Sequence, residues 1–259
     1  MSNHWHVVCY APAESPGLDE ISARFNAYYG GQRVEPNWRV DSEACEHYAA
    51  RMRDISMFAK DLQQQFTRWF NRTRPQGRCG RLWADRFKSV ILDENSSLWE
   101  CLQYVTMNPV RAGLCEDAAD YRFGAWGRFC GSGRHPFGLA LVKHLRRHLG
   151  ECGRNFSDEE VITEFRVDRA RRTAAEHGKS TKAIVEAKEK ARSGGSAGVV
   201  ISRRIRYFSD SGILGSRLFV VSMTAKLFGP ERAQTKRYGK TICASGVELF
   251  ALRQLRNTA

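Results

Sequence analysis

Ile55, Phe58, Leu62, Phe66 and Trp69 recur at intervals of three or four along one stretch of the chain. A strand repeats every two residues and an α-helix every 3.6, so only a helix gathers these side chains on one face. The pattern predicts helix over Ser42–Phe70, and most of the stripe is expected to be core. Lys60, Arg68 and Arg72 are interspersed with it. Such charges usually sit on a solvated helix face, and the alternative is contact with a polyanion.

The charge balance bears on that alternative. Lys and Arg number 41 against 28 Asp and Glu, a formal charge of +13, which favours nucleic acid or an anionic membrane surface as partner. No apolar run approaches the roughly 18–20 residues that span a bilayer. The N-terminus lacks the basic-then-apolar pattern of a signal peptide. Nucleic acid is therefore the stronger expectation, with a cytoplasmic, nucleoid-associated location. A hydrophobic content of 42% with 27% charged residues excludes a disordered chain, and 259 residues suffice for one large domain or two modest ones. Eight cysteines, none in a C-x-x-C pair, argue against a zinc finger or a disulfide framework and read as reduced, mostly buried thiols.

Along the chain, Met1–Tyr10 alternates and is rich in β-formers, so a strand is expected there. Pro12, Pro16 and Gly17 mark a loop, Asp19–Tyr29 reads as helix, and Gly30–Asn37 reads as loop. Arg74–Gly80 is a turn region leading into a strand-like run, Leu82–Leu92. Glu94–Met107 reads as a helix with Ser96 or Ser97 as N-cap, ending near Asn108 because Pro109 biases its predecessor away from helix. Asp120–Gly133 is rich in aromatics and glycine. Beyond it, basic helical segments dominate: Leu139–His148, Ser157–Glu176 and Ser180–Arg192, followed by a flexible break at Ser193–Gly198 and a helix-like Ser216–Phe228. Basic runs stand at Arg203–Phe208 and Lys236–Lys240.

Two small constellations can carry chemistry. His4 and His6, two apart on the expected strand, share a face and can converge on one divalent ion, although isolated H-x-H pairs are often accidental. Tyr104 and Asn108, four apart on the expected helix, also share a face. A phenol and an amide oxygen can then approach one site, and hard divalent ions accept such an oxygen. The plainer reading makes Tyr104 a core aromatic and Asn108 a C-cap. Together the four residues meet the needs of phosphodiester transesterification, a Lewis acid on the phosphate and a hydroxyl nucleophile.

Three segments in order carry a family resemblance. Asn3-His4-Trp5-His6-Val7-Val8 looks like the histidine-hydrophobic-histidine (HUH) strand of single-tyrosine transposases. Gly80-Arg81-Leu82-Trp83-Ala84-Asp85-Arg86-Phe87-Lys88-Ser89 resembles their G-x-x-W-x-x-R-[FY]-K-S segment. Tyr104-Val105-Thr106-Met107-Asn108-Pro109-Val110-Arg111-Ala112-Gly113-Leu114 resembles the Y-x-x-x-N-P-V-R-A-G-L helix of the transposases associated with repetitive extragenic palindromes, which are insertion-sequence-200-like. The likeness runs from Met1 to about Trp126, with an insertion-like stretch over Pro12–Asp41.

The resemblance implies an α+β fold: a ferredoxin-like HUH endonuclease core over residues 1–130, then a mostly helical, basic C-terminal region over 131–259 that suits a DNA-binding module or a packing appendage. In that family a strand and a helix precede the HUH strand, so the core is expected to be truncated at its N-terminus. The implied activity is cleavage and joining of single-stranded DNA near hairpin or palindromic elements, with Mg²⁺ or Mn²⁺, through a 5′-phosphotyrosine. His4, His6 and Asn108 take the metal roles and Tyr104 the nucleophile's. Arg81, Arg86, Lys88 and Arg111 are expected to contact phosphates and Trp83 to stack on a base or serve the core. The alternative is a truncated or domesticated relic that binds hairpin DNA without cutting it. A rolling-circle initiator or relaxase shares the HUH logic, but the tyrosine segment matches the transposase type. The oligomeric state, monomer or homodimer, is open at this level.

Overall fold

The computed structural model describes residues 5–11, 14, 16–29, 42–74, 76–77, 79–83, 87–94, 96–133, 139–150, 155–192, 208, 211–242 and 248–253. In chain order these form helices α1 (Leu18–Tyr29), α2 (Ser42–Arg53) and α3 (Ile55–Thr73), a short strand β1 (Ile91–Leu92) and helix α4 (Ser96–Arg111). A 3₁₀ turn at Ala118–Asp120 leads to helices α5 (Ala125–Ser132), α6 (Leu139–Gly150) and the long α7 (Asp158–Arg192). Strand β2 (Ser211–Gly215), helices α8 (Arg217–Phe228) and α9 (Pro230–Thr235), and strands β3 (Gly239–Ile242) and β4 (Glu248–Arg253) follow. The fold is mixed α/β and mostly helical, with one small sheet of order β1-β2-β4-β3. β1 runs parallel to β2, and the two other pairings are antiparallel. Two compact units result: Met1–Val8 with Lys88–Ala259, and Cys9–Phe87. Residue 130 lies inside the first.

In the Cys9–Phe87 unit, the single helix expected over Ser42–Phe70 is broken at Asp54. Its carboxylate Oδ1 accepts from the backbone of Ser56 at 2.7 Å and Met57 at 3.2 Å, so a side chain satisfies amides that would otherwise lack partners and restarts the helix. Ile21 and Ala49 pack α1 on α2, and Arg51 reaches Asp61 of α3 at 2.9 Å. The apolar stripe of α3 departs from expectation. Ile55, Phe58, Leu62, Phe66 and Trp69 remain 40–53% exposed. The covered face is a neighbouring one: Ala59 is buried, and the Trp83 indole N–H donates to the Gln63 carbonyl (3.1 Å) and the Thr67 hydroxyl (3.0 Å).

The other unit is built around α4. Trp99, Leu102, Met107 and Val110 enter one core with Trp126 of α5, Val142 and Leu145 of α6, and Val161 and Phe165 of α7. Burial of Val110 carries the helix through Pro109 to Arg111, beyond the end expected at Asn108. Proline removes one i→i−4 bond, but only in the last turn, where that loss is smallest. Gly113, at φ +67°, then closes the helix: its amide donates to the Val110 carbonyl (2.9 Å), and that of Leu114 to Pro109 (2.9 Å).

A buried ionic clamp fixes α4 to α7. The Arg172 guanidinium donates twice to the Glu100 carboxylate, at 2.7 and 2.8 Å. Asp168, one turn before Arg172, accepts from Arg172 Nε at 3.0 Å and from the Trp99 indole at 2.7 Å. At the other end, Ser97 donates to the Asp93 carbonyl at 2.6 Å. The Asp93 carboxylate accepts from the amide and hydroxyl of Ser216, the N-cap of α8. Only glycine fits at position 215, because a Cβ there would lie 2.5 Å from Asp93 Cβ.

The strand expected over Met1–Tyr10 is not formed by its described part: residues 5–11 carry no sheet pairing. Alternation supplies the side chains of a strand, but a ladder also needs a partner edge. Val8 instead packs against the α4 core. Among the described residues of the strand-like run Leu82–Leu92, Ile91 and Leu92 alone pair, with Ile213 and Leu214. The sheet is thus drawn mainly from the C-terminal half. The expected loop Gly30–Asn37, the break Ser193–Gly198 and the basic run before Phe208 lie outside the described residues.

Removing one partner of the clamp should expose its strength. Glu100→Ala strands a buried guanidinium and should cost about 3–5 kcal/mol, whereas Glu100→Leu with Arg172→Met should cost much less. Urea unfolding tests this, and equal losses would show that the pair is solvated.

Burial also pushes the Cys101 thiol from 9.0 up to about 12. The folded state therefore keeps a proton that the unfolded chain releases first. The resulting stability is full below about pH 9 and is lost as the pH rises toward 12. Cys101→Ala should flatten that part of the stability–pH curve, measured by chemical denaturation.

Candidate functional site

Tyr104 and Asn108 lie one turn apart on α4, downstream of Glu100, so the clamp to α7 also fixes their height and rotation. The side of α4 near Tyr104 meets the sheet layer. Phe208, which packs with Leu214, Leu249 and Ala251, stacks on the Tyr104 ring with centroids 4.9 Å apart and planes at 25°. His6 approaches the same ring edge-on, at 5.6 Å and 76°. The first and third motifs, far apart in the chain, are thus brought together. Tyr104 is 7% exposed.

Arg111 closes the other flank. Its guanidinium carbon stands 5.0 Å from the Tyr104 ring centroid, and Nη1 donates to the Tyr104 carbonyl at 3.2 Å. Burial pulls this guanidinium below its ordinary range, and the Glu176 carboxylate, 3.9 Å from Nε, pushes it back up. The guanidinium thus lies against the face of the phenol ring. It also offers a fork of donors to an anion that approaches the tyrosine.

Asn108 is 9% exposed, and its Nδ2 has no hydrogen-bond partner among the described residues. A buried amide atom without a partner costs about 1–3 kcal/mol. The oxygen and nitrogen of the amide exchange places on a half-turn of the side chain, so the same spot can present an oxygen. Gln103, fully buried on α4, is also half-satisfied: Nε2 donates to the Phe165 carbonyl (3.1 Å), and Oε1 has no partner among the described residues.

Of the other expected residues, Lys88 is exposed in the same unit as Tyr104. Arg81 is exposed and Trp83 half-buried in the Cys9–Phe87 unit, where the Trp83 indole serves α3. His4 and Arg86 lie outside the described residues. Among the described residues, no three His, Cys, Asp or Glu side chains gather into a metal-holding group. No helix among them is long and apolar enough to cross a membrane.

Sequence reasoning missed Phe208, Glu176 and the clamp. Asp168 and Arg172 carried a weak signal, an i,i+4 pair of opposite charge, which says nothing of burial. Phe208 carried none, because its importance is a tertiary stack. No protein-family model matches the chain, and neither does any curated protein or solved structure.

Phe208 is the lid on the phenol. Phe208→Ala should raise the rate at which tetranitromethane nitrates Tyr104, read by peptide mass spectrometry on the folded protein. An unchanged rate would mean that other groups cover the ring.

Proposed function

We propose that this chain is a metal-dependent DNA strand transferase of the single-tyrosine HUH type, acting on single-stranded DNA near hairpins with Tyr104 as nucleophile. The observation that carries the reading is the approach of His6, far away in the chain, to the Tyr104 ring that Arg111 flanks, with Asn108 one turn further along the same helix. The motif resemblance and the charge of +13 support it independently.

The Tyr104 oxygen attacks phosphorus, forming an O–P bond while the bond to the 3′ oxygen breaks. The phenol proton leaves as the bond forms, and the departing 3′ oxygen takes up a proton, so the step is balanced without oxidant or reductant. The product is a 5′-phosphotyrosine that keeps the energy of the broken bond for rejoining. Arg111 offers donors to the phosphate. His4, His6 and Asn108 would hold Mg²⁺ or Mn²⁺, and the half-satisfied buried amide of Asn108 fits an oxygen ligand for a hard ion. The bound ion supplies Lewis-acid stabilisation of charge on the scissile phosphate. Arg81, Arg86 and Lys88 would contact phosphates, as the motif resemblance implies, and such contacts give salt-sensitive affinity.

One observation favours a second reading, a relic that binds hairpin DNA without cutting it: the Tyr104 ring is buried beneath Phe208. A single assay separates the two. Labelled, hairpin-flanked single strands incubated with Mn²⁺ should yield a covalent adduct that Tyr104→Phe abolishes and His6→Ala or Asn108→Ala reduces at least tenfold. Salt-dependent binding with no adduct would establish the relic instead.

A further inference from the structure

We infer that the exposed face of α3 is a stacking platform for single-stranded DNA, separate from the tyrosine site. The choice of DNA rests on the proposed function; the platform itself does not depend on Tyr104.

Scattered exposed apolar residues are ordinary, whereas a whole helical stripe is not. Phe66 and Trp69 are 42% and 53% exposed, and Phe58 and Leu62 continue their row toward the start of α3. The helix does not need this face for its own anchorage. Ala59, Gln63 and Thr67, on the adjoining face, already meet the rest of the unit.

The rings also cluster at the C-terminal end of the row. Phe66 lies 5.5 Å from Trp69, 6.1 Å from Phe70 and 5.8 Å from Trp83, centroid to centroid. The Arg74 guanidinium lies over Phe70 at 4.0 Å, adding a planar cation to the same end. Unpaired bases stack on such rings whatever their sequence, because every base has a π-face.

Charge chooses among occupants. Residues 62–87 contain six arginines, at 68, 72, 74, 78, 81 and 86, and one carboxylate, Asp85. This local excess is steeper than that of the whole chain. A symmetric pairing with a second copy would set arginine against arginine across a two-fold axis. A polyanion that also carries flat apolar faces satisfies rings and arginines together. Single-stranded DNA has both, whereas a duplex hides its base faces.

The test uses the full chain carrying Tyr104→Phe, so that covalent capture does not contribute. A fluorescein-labelled oligothymidine is titrated by anisotropy against this protein and against forms that add Trp69→Ala, Phe66→Ala or Trp69→Phe. Each alanine should weaken binding roughly fivefold or more, from the loss of one stacked base. Trp69→Phe should restore most of the affinity, and a labelled duplex should not distinguish the proteins. Circular dichroism confirms folding, and because the two alanines are made separately at exposed positions, either one that folds carries the test. Equal affinities across the set would overturn the platform. So would a dimer, seen by sedimentation without DNA, that Trp69→Ala dissociates. Failure of the adduct assay with intact alanine effects would overturn the catalytic reading and leave the platform standing.

Discussion

The Glu100–Arg172 pair is the interaction on which the tyrosine site depends. Both groups are nearly withdrawn from water, so neither is tolerable without the other. Their bidentate geometry has one register, and Asp168 and the Trp99 indole tighten it by using the remaining donors and acceptor sites. Apolar packing alone would let α4 rotate or slide by a fraction of a turn. The clamp removes that freedom and fixes where Tyr104 and Asn108 point. Hydrophobic burial thus supplies the stability of this unit, while the buried charges specify its alignment.

The same helix shows how local rules yield to packing. Pro109 argues for an end at Asn108, yet α4 continues to Arg111 because Val110 belongs to the core. The continuation has a consequence for the site. Arg111 is carried far enough round the helix to turn back over the Tyr104 ring and bond its carbonyl. A helix that stopped at Asn108 would leave that cation without a defined position.

What could be read from the sequence was what depends on short range. The spacing of Tyr104 and Asn108 placed them on one helical face, and the H-x-H motif singled out His6, which does meet the tyrosine. The strand assigned to the N-terminus failed in its described part because pairing depends on an edge elsewhere in the chain, and no pattern of side chains reveals that edge. The Ser42–Phe70 helix was legible, but its break was not: aspartate is a weak helix former and a favoured N-cap, yet it also occurs on solvated helix faces, and it is the bonds from Ser56 and Met57 that make Asp54 a cap. The sheet was hidden most deeply, since β1 owes its two residues of ladder to β2, more than a hundred positions later.

The α3 stripe shows the limit of periodicity as evidence. A repeat of 3.6 establishes that apolar side chains share a face, and burial is then inferred from the hydrophobic effect. That second step assumes that the helix has one apolar face and one partner. Here α3 has a second usable face, formed by a small residue, an amide carbonyl and a hydroxyl, and a tryptophan N–H satisfies the polar groups on it. Hydrogen bonds hold the helix by that face and leave its aromatic row in contact with water. Exposing such a row costs free energy in the isolated chain. Under the stacking platform proposed for α3, bound bases flanked by its arginines would recover it.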